Sequence, residues 1–269
     1  MTLRAKLGKL QEVLRQGGRT LVAYSGGVDS ALLAKVAHDV LGEDALAVIA
    51  DTPSLPRREL QEALDLARRF GFAARVIRTE EMADARYAQN PPDRCYFCKT
   101  ELFGKLATLA KAEGWQTIVY GENADDVGDF RPGIRAAGEF AARAPLKEAG
   151  LTKAEIRQLS VEMGLPTADK PAMACLSSRI PYGEPVTQEA LAMVEAAENA
   201  LRDRGFREVR VRHHRTLARI EVGPLEVERL LDAKLRETIC DELKRIGYTY
   251  VELDLQGYRR GSANEVLPT

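Results

Sequence analysis

The chain lacks any long hydrophobic run and any large excess of charge of one sign. No stretch approaches the ~20 consecutive apolar residues that a membrane-spanning helix needs, and the N-terminal residues do not form the apolar core of a signal peptide. The formal net charge of the 269 residues is -1, without the basic excess that is typical of nucleic-acid-binding proteins. These absences predict a cytoplasmic protein whose partners include neither a membrane nor a nucleic acid.

Cysteine and histidine are scarce, with four and three residues respectively. Because disulfide bonds are rare in the cytoplasm, the four cysteines are expected to be reduced thiols or metal ligands. The composition, 45% hydrophobic and 29% charged, is that of an ordinary globular protein. The length suits one large domain, or one large and one small domain.

Short apolar runs alternate with helical patterns through the first half of the chain. Strands are predicted at residues 20–24, 45–50, 74–77 and 117–120, and helices at 3–16, 31–37, 56–70 and 99–113. This alternation predicts an α/β fold with a doubly wound parallel sheet. Since ligands of such sheets bind at the carboxyl ends of the strands, the loops beginning at Ser25, Asp51 and Gly121 are expected to line a site.

The pattern changes near residue 183. Beyond it we predict a helix at 188–203, strands at 208–213, 218–222 and 250–255, and a helical stretch at 225–246. This order of elements indicates a second, smaller α+β domain. The predicted domains therefore span residues 1–182 and 183–269.

The motif SGGVDS begins at Ser25, directly after the first predicted strand. Gly26 and Gly27 let the backbone approach an anion closely, and the N–H groups and dipole of a helix start favour phosphate. Ser30 adds a second hydroxyl donor, and Asp29 is a candidate magnesium ligand. The motif has no lysine of the Walker type, and it resembles the PP-loop of ATP pyrophosphatases. The alternative is a glycine-rich turn without a ligand.

The segment after the fourth predicted strand supports the same site. Residues 121–126 and 128–133 are similar to the second nucleotide-binding segment of PP-loop enzymes, and their acidic groups suit a magnesium–phosphate site. Gly121 and Asp126 are the candidate contacts there, and Asp51 is a further candidate ATP contact. The alternative for this segment is a solvated acidic turn.

A third segment, residues 144–166, also resembles a recurrent part of PP-loop enzymes. Lys153 could reach a phosphate from the start of a predicted helix. The alternative is an ordinary amphipathic helix, since Thr152 and Glu155 have the spacing of a capping box. Both interpretations can hold together.

The cysteines allow four interpretations. Cys95 and Cys98 form a C-x-x-C motif, and Cys175 lies in a separate segment. In the first two interpretations the thiols are incidental buried residues, or they form a zinc site, which lacks an obvious fourth ligand. In the third, Cys95 and Cys98 are a redox pair. In the fourth, the three thiols are ligands of an iron–sulfur cluster with one iron left open. Cys240 is predicted to be a core residue of a helix.

Residues 174–183, ACLSSRIPYG, are the most specific string of the chain. Together with the PP-loop, residues 93–99 (DRCYFCK) and residues 121–133, they resemble the LarE family, the ATP-dependent sulfur transferases that build the nickel-pincer nucleotide cofactor of lactate racemase. The resemblance covers nearly the whole chain. It separates this sequence from GMP and NAD synthetases, which share only the PP-loop and its supporting segments.

The resemblance implies an activity. ATP and Mg²⁺ would adenylylate the carboxylates of pyridinium-3,5-biscarboxylic acid mononucleotide, and sulfur would then displace AMP to give thiocarboxylates. Some members sacrifice the sulfur of the cysteine at the position of Cys175, whereas members with three cysteines are thought to use a 4Fe–4S cluster. Cysteine at positions 95, 98 and 175 favours the second type. The family further implies a homo-oligomer, supplied by a sulfide donor of unknown identity.

The resemblance also implies a phosphate site for the mononucleotide. Arg179 follows Cys175 by four residues, and Arg210 and Arg212 alternate on a predicted strand, so that both face one side. A guanidinium suits phosphate recognition. The alternative for the strand pair is a solvated basic face. The small domain is accordingly predicted to bind substrate or to mediate oligomerisation, and the large domain to bind ATP.

Two competing functions remain open at this point. A PP-loop enzyme that thiolates tRNA would also use ATP and cysteine pairs, but it would need an RNA-binding surface. A nucleotide-binding regulatory or scaffold protein without catalysis is the other, since open α/β folds also serve such roles.

Overall fold

The computed structural model describes residues 1–126, 132–171, 174–259 and 261–267. Two compact units make up the chain: Met1–Glu81 with Asp93–Met173, and Met82–Pro92 with Ala174–Thr269. The predicted domain boundary between residues 182 and 183 stays a prediction. Within the described ranges, no helix is both long and apolar enough to cross a bilayer.

The elements follow one another in a regular order. The helices are α1 (Leu3–Gly17), α2 (Val28–Leu41), α3 (Arg57–Phe70), α4 (Ala85–Ala88), α5 (Arg94–Glu113), α6 (Pro132–Glu139), α7 (Pro145–Glu148), α8 (Lys153–Glu162), α9 (Gln188–Arg202) and α10 (Ala233–Ile246). The strands are β1 (Thr20–Ala23), β2 (Ala45–Asp51), β3 (Ala74–Arg78), β4 (Thr117–Tyr120), β5 (Val209–His214), β6 (Leu217–Val222) and β7 (Tyr250–Leu253).

The first unit is built on a parallel sheet with the strand order β3-β2-β1-β4. Thr20 lies opposite both Ala45 and Thr117, so β1 is central and the carboxyl ends of its neighbours lie at the same edge. Parallel strands require crossover connections between them, and helices α2, α3 and α5 lie in these connections. The predicted α/β fold with a doubly wound parallel sheet is confirmed.

Alternate residues of the strands enter two separate cores. Val22 and Ile49 pack with Leu32 of α2 on one face, while Leu21 and Val48 pack with helix α5 on the other. Because side chains alternate along a strand, both faces of the sheet are covered. This double burial explains why β1 and β2 are continuous apolar runs rather than alternating patterns.

Three predicted helical segments differ most clearly from the structure. Helix α2 begins at Val28 instead of residue 31, so the second half of the SGGVDS motif lies in its first turn. Helix α5 begins at Arg94 instead of residue 99, which places the C-x-x-C motif on a helix. The helical stretch predicted at 225–246 is a 3-10 helix, Pro224–Leu231, followed by α10.

The second unit contains a small mixed sheet with the order β5-β6-β7. Strands β5 and β6 are antiparallel, and β6 and β7 are parallel. Val211 and Ile220 pack with Leu201 of α9 and Leu243 of α10 in a core of their own. The α+β character predicted for this part of the chain follows from this mixture of strand directions.

Candidate active site

The PP-loop joins β1 to α2 and is shaped by its own hydrogen bonds. The backbone N–H of Ser25 donates to the Ser30 hydroxyl at 3.1 Å, and the two serine hydroxyls lie 3.0 Å apart. The Ser30 hydroxyl also donates to the Gly27 carbonyl at 3.2 Å. The serines therefore hold the loop in shape.

Glycine is required at two close approaches of the backbone, one within the PP-loop and one beside it. Gly26 has a φ of +72°, and a Cβ there would lie 2.8 Å from the Cβ of Ala63 on α3. A Cβ on Gly121, which follows β4, would lie 2.9 Å from the backbone nitrogen of Ser30. Gly27 is the N-cap of α2 and makes no side-chain cap. The first N–H groups of α2 therefore remain available to an anion.

Opposite charges meet at the start of α2. The Lys153 ammonium donates to Oδ2 of Asp29 at 2.5 Å, whereas Oδ1 of Asp29 is buried and has no hydrogen-bond partner among the residues that the structure describes. A buried carboxylate oxygen without a partner is costly unless a ligand satisfies it. The open N–H groups and this oxygen are suited to bind the phosphates of ATP and a magnesium ion.

The segment after β4 positions Lys153. Asp125 accepts a hydrogen bond from the Lys153 backbone N–H at 2.7 Å, and α8 starts with the predicted capping box of Thr152 and Glu155. A hydrogen bond from Lys6 lowers the pKa of Glu155, and the bond from the Thr152 backbone adds to this effect. The Thr152–Glu155 capping box thus leaves the Lys153 side chain available for the predicted phosphate contact.

The other two predicted ATP contacts have partners of their own. Asp126 is buried in the 3-10 helix Ala124–Asp126 and accepts a hydrogen bond from the Asn123 backbone at 3.1 Å. Asp51, at the end of β2, is paired with Arg57. Residues 128–131 of the predicted second nucleotide-binding segment lie outside the described residues.

A buried carboxylate beside the cradle was missed by the sequence reasoning. Glu122 is 4% exposed, and it accepts hydrogen bonds from the Tyr120 hydroxyl and from the Lys147 ammonium, the latter at 2.6 Å. Burial and Glu122 together raise the pKa of Tyr120 above its usual range. This network ties the loop after β4 to α7. The only local signal was an acidic residue next to Gly121, and Lys147 lies 25 residues away.

The structure places the cysteines on separate elements. Cys95 and Cys98 lie three residues apart on the first turns of α5 in the first unit, exposed and half-buried respectively. Cys175 is the N-cap of the 3-10 helix Leu176–Arg179 in the second unit and is half-buried. In the part of the chain that the structure describes, no group of three or more His, Cys, Asp or Glu side chains could hold a metal ion. Cys240 lies on α10 and is half-buried, so its predicted place in the core is wrong.

The predicted phosphate-binding arginines are buried in the second unit. Arg210 and Arg212 are 5% and 8% exposed, so the alternative of a solvated basic strand face is wrong. Arg212 forms a two-point ion pair with Glu221 at 2.7 Å for both nitrogens. Arg210 stacks over the ring of Tyr258 at 4.8 Å. Burial, reinforced by the nearby charge of Arg179, lowers the pKa of Arg210.

Arg179 is buried against Glu198 of α9. Its Nε and Nη2 donate to the two carboxylate oxygens at 2.7 and 3.0 Å. Burial acts to raise the pKa of Glu198, but Arg179 and the other nearby arginines outweigh it and hold that pKa below its usual range. Arg179 is therefore buried and paired with Glu198 instead of being exposed to solvent.

Comparisons with known proteins match this architecture. Residues 7–102 match the model of the NAD synthase family. An uncharacterized protein of Synechocystis sp. is 47% identical, over 98% of this chain and 99% of its own. The pyridinium-3,5-bisthiocarboxylic acid mononucleotide synthase of Lactiplantibacillus plantarum is 36% identical, over 99% of this chain and 96% of its own. The chain belongs to the LarE family of ATP-dependent sulfur transferases.

Membership of the LarE family makes the protein an enzyme, a sulfur-transferring synthase. The tRNA-specific 2-thiouridylase of a Caulobacter species is 30% identical, over 58% of this chain and 47% of its own. That match is partial, whereas the LarE-family match is full length. The likeness to the thiouridylase therefore leaves a large part of this chain without a counterpart.

Proposed function

We propose that the protein adenylylates the carboxylates of pyridinium-3,5-biscarboxylic acid mononucleotide with ATP and converts them to thiocarboxylates. The observation that carries the proposal is the cradle at the start of α2, where open N–H groups and an unpartnered Asp29 oxygen meet the Lys153 ammonium. The full-length likeness to the Lactiplantibacillus synthase supports the substrate. The cradle and this likeness together favour ATP-dependent activation of a carboxylic acid.

In the first step, a substrate carboxylate oxygen attacks the α-phosphorus of ATP. The bond from that phosphorus to the bridging oxygen breaks, and pyrophosphate leaves. The loop from Ser25 to Ser30, with Gly121, is proposed to hold the phosphates, and Lys153 to offset their charge. We assign Asp29 and Asp126 as magnesium ligands and Asp51 as a further ATP contact. When bound, magnesium would supply the charge that stabilises pyrophosphate as it leaves.

In the second step, a sulfur nucleophile attacks the acyl carbon and AMP leaves. We propose that the sulfur comes from a 4Fe–4S cluster on Cys95, Cys98 and Cys175, because thiolates are the usual ligands of such clusters. When bound, the cluster would supply exchangeable sulfide. Cys95 and Cys98 share one helix of the first unit, and Cys175 lies in the second unit.

The alternative sulfur source is Cys175 itself. Its thiolate would attack the acyl carbon to give a thioester as AMP leaves. Removal of the Cα proton of Cys175 would then break its Cβ–S bond, which yields the thiocarboxylate and leaves dehydroalanine. An enzyme of this type would act once, whereas the cluster type would turn over.

The mononucleotide phosphate is proposed to bind at Arg210 and Arg212. Both guanidiniums are preorganised, one by Glu221 and the other by the Tyr258 ring, and planar donors suit phosphate. A phosphate role for Arg179, which is paired with Glu198, stays a prediction. The cytoplasmic location and the homo-oligomer also stay predictions that the family resemblance supports.

The test is product analysis with ATP and the biscarboxylate mononucleotide under anaerobic conditions. We expect AMP and pyrophosphate to form only when the mononucleotide is present, together with a product in which sulfur replaces carboxylate oxygen. Formation of ADP and phosphate, or no pyrophosphate with the mononucleotide, would contradict the proposal. Mononucleotide with both carboxylates amidated is the matched control and should release none.

A tRNA-thiolating activity is the second candidate, because the partial match to a 2-thiouridylase favours it. It predicts tRNA binding whose affinity falls steeply with salt, since each neutralised phosphate releases counterions. Filter binding at several salt concentrations measures this. Absence of salt-dependent binding would remove this candidate.

A further inference from the structure

One buried arginine holds the segment that carries Cys175. Arg179 ends the 3-10 helix whose N-cap is Cys175, and the residue as a whole is 1% exposed. Its Nη1 donates to the Ala174 carbonyl at 2.7 Å and to the Cys175 carbonyl at 2.9 Å. The same nitrogen lies 2.9 Å from the Ser178 hydroxyl. The guanidinium thus contacts the peptide groups on both sides of the Cys175 Cα atom.

Glu198 holds the arginine in turn. Its carboxylate accepts hydrogen bonds from Nε and Nη2 of Arg179. Neither side chain of this two-point ion pair has any exposed surface. It also accepts a hydrogen bond from the Val211 backbone N–H at 3.2 Å, which ties the pair to β5. Because a two-point pair fixes the plane of a guanidinium, Nη1 is left with one direction, toward the Cys175 segment.

The segment is anchored from other sides as well. Arg212 donates to the Ser178 carbonyl at 2.9 Å, and the Tyr87 hydroxyl lies 2.7 Å from that of Ser177. These contacts fix the residues after Cys175. Only Arg179 reaches back to the carbonyls of residues 174 and 175 through a described side-chain hydrogen bond.

We propose that Arg179 is a positioning residue that orients Cys175 for sulfur transfer, and that Glu198 fixes Arg179 for this purpose. The inference rests on the proposed function, because it concerns the thiol used in the second step. Reacting atoms must meet at near-contact distance, and a misplacement of about 1 Å can cost on the order of 100-fold in rate. Adenylylation does not involve the Cys175 thiol, so its rate does not depend on the direction of this thiol.

The first variant is R179K, which keeps the charge but loses the planar fork that joins Glu198 to the two carbonyls. We expect the rate constant for sulfur transfer to fall on the order of 100-fold, while the pyrophosphate burst and the KM for the mononucleotide stay at wild-type values. The matched control is R202K. Arg202 pairs with the same carboxylate at 2.8 Å from a partly exposed position, so R202K should retain both steps.

A second readout needs no turnover. In metal-free protein we expect alkylation of Cys175 by iodoacetamide, followed by peptide mass spectrometry, to become faster in R179K and unchanged in R202K. Alkylation of Cys240 on α10 serves as the internal reference and should not change. Equal alkylation rates at Cys175 in the wild type and in R179K would overturn the proposal.

If R179K does not fold, the variant R179Q/E198Q replaces it. This change removes both charges of the buried pair together, so that neither is left unpaired, but it lacks the nitrogen that reaches both carbonyls. We expect it to show the same selective loss of sulfur transfer. A raised KM for the mononucleotide in the pyrophosphate burst would instead assign Arg179 to phosphate binding, and an equal loss of both steps would also overturn the proposal. Failure of the proposed function itself would show as no burst in the wild type.

Discussion

At the scale of single residues, the ATP site depends on Asp29. Its two carboxylate oxygens differ, since one is paired with Lys153 and the other is buried without a partner. D29N keeps the shape but removes the charge available to magnesium. We expect the rate of pyrophosphate release to fall on the order of 100-fold or more, a loss of the size seen when one group that stabilises transition-state charge is removed.

The control for D29N lies on the same helix. Asp39 is paired with Lys35 one turn away on an exposed face of α2, and surface pairs contribute little. D39N should therefore release pyrophosphate at the wild-type rate. Equal loss in D29N and D39N would assign the effect to α2 as a whole and contradict a specific role for Asp29.

Two histidines of β5 predict how stability depends on pH. Burial lowers the pKa values of His213 and His214 below 6.5. Because the unfolded chain then binds protons more readily than the folded one, the stability is full above pH 6.5 and falls as the pH drops below it. Urea unfolding at pH 7.5 and pH 5.5 measures the change. H213Q/H214Q should lose this part of the dependence, and an unchanged dependence would contradict the account.

At the scale of elements, the approach of the loop after β4 to the start of α2 requires a glycine. G121A would place a Cβ 2.9 Å from the Ser30 nitrogen and 3.2 Å from the Asp29 backbone. We expect a loss of about 1–3 kcal/mol in the free energy of unfolding and weaker ATP binding by calorimetry.

The matched control for G121A is G8A on α1. A Cβ at position 8 meets nothing within 4 Å, and alanine is a better helix former than glycine. G8A should stabilise the protein by about 0.5–1 kcal/mol and leave ATP binding unchanged. An ATP affinity of G121A equal to that of the wild type would contradict the close approach.

Local patterns predicted the sheet of the first unit closely, because its strands are short runs rich in apolar residues and bounded by turn residues. The start of α2 was missed because its N-cap is Gly27, which makes no side-chain cap. The start of α5 was missed because Pro91 and Pro92 precede it and predict irregular structure. A helix boundary that has no capping side chain cannot be predicted from the local sequence.

Some parts of the candidate active site could likewise be predicted from local patterns, and others could not. The SGGVDS motif indicated the phosphate cradle, since glycines and a helix start have a local signature. The Asp29–Lys153 pair joins residues 124 apart, and no local pattern carries such a pairing. The burial of Arg179 with Glu198 runs against the usual exposure of charged residues. Contacts of this kind depend on the tertiary fold, so the sequence indicated the residues without indicating their partners.

At the scale of the whole molecule, the sulfur source decides whether the enzyme turns over. If Cys95, Cys98 and Cys175 hold a cluster, anaerobically reconstituted protein should contain roughly four iron and four sulfide per chain with a broad visible band. C95S should lose the cluster and sulfur transfer, whereas C240S should keep both. Protein without iron that loses one sulfur in mass after reaction would instead show that Cys175 is consumed.

The most direct test of the central claim follows oxygen from the substrate to AMP. Mononucleotide with oxygen-18 in its carboxylates is mixed with ATP and the protein, and the released AMP is examined by mass spectrometry. Adenylylation predicts that each AMP carries one labelled oxygen on its phosphate, because the carboxylate oxygen bonded to phosphorus leaves with AMP when sulfur attacks. AMP without the label, or ADP in its place, would contradict the assignment of the protein as an adenylylating sulfur transferase.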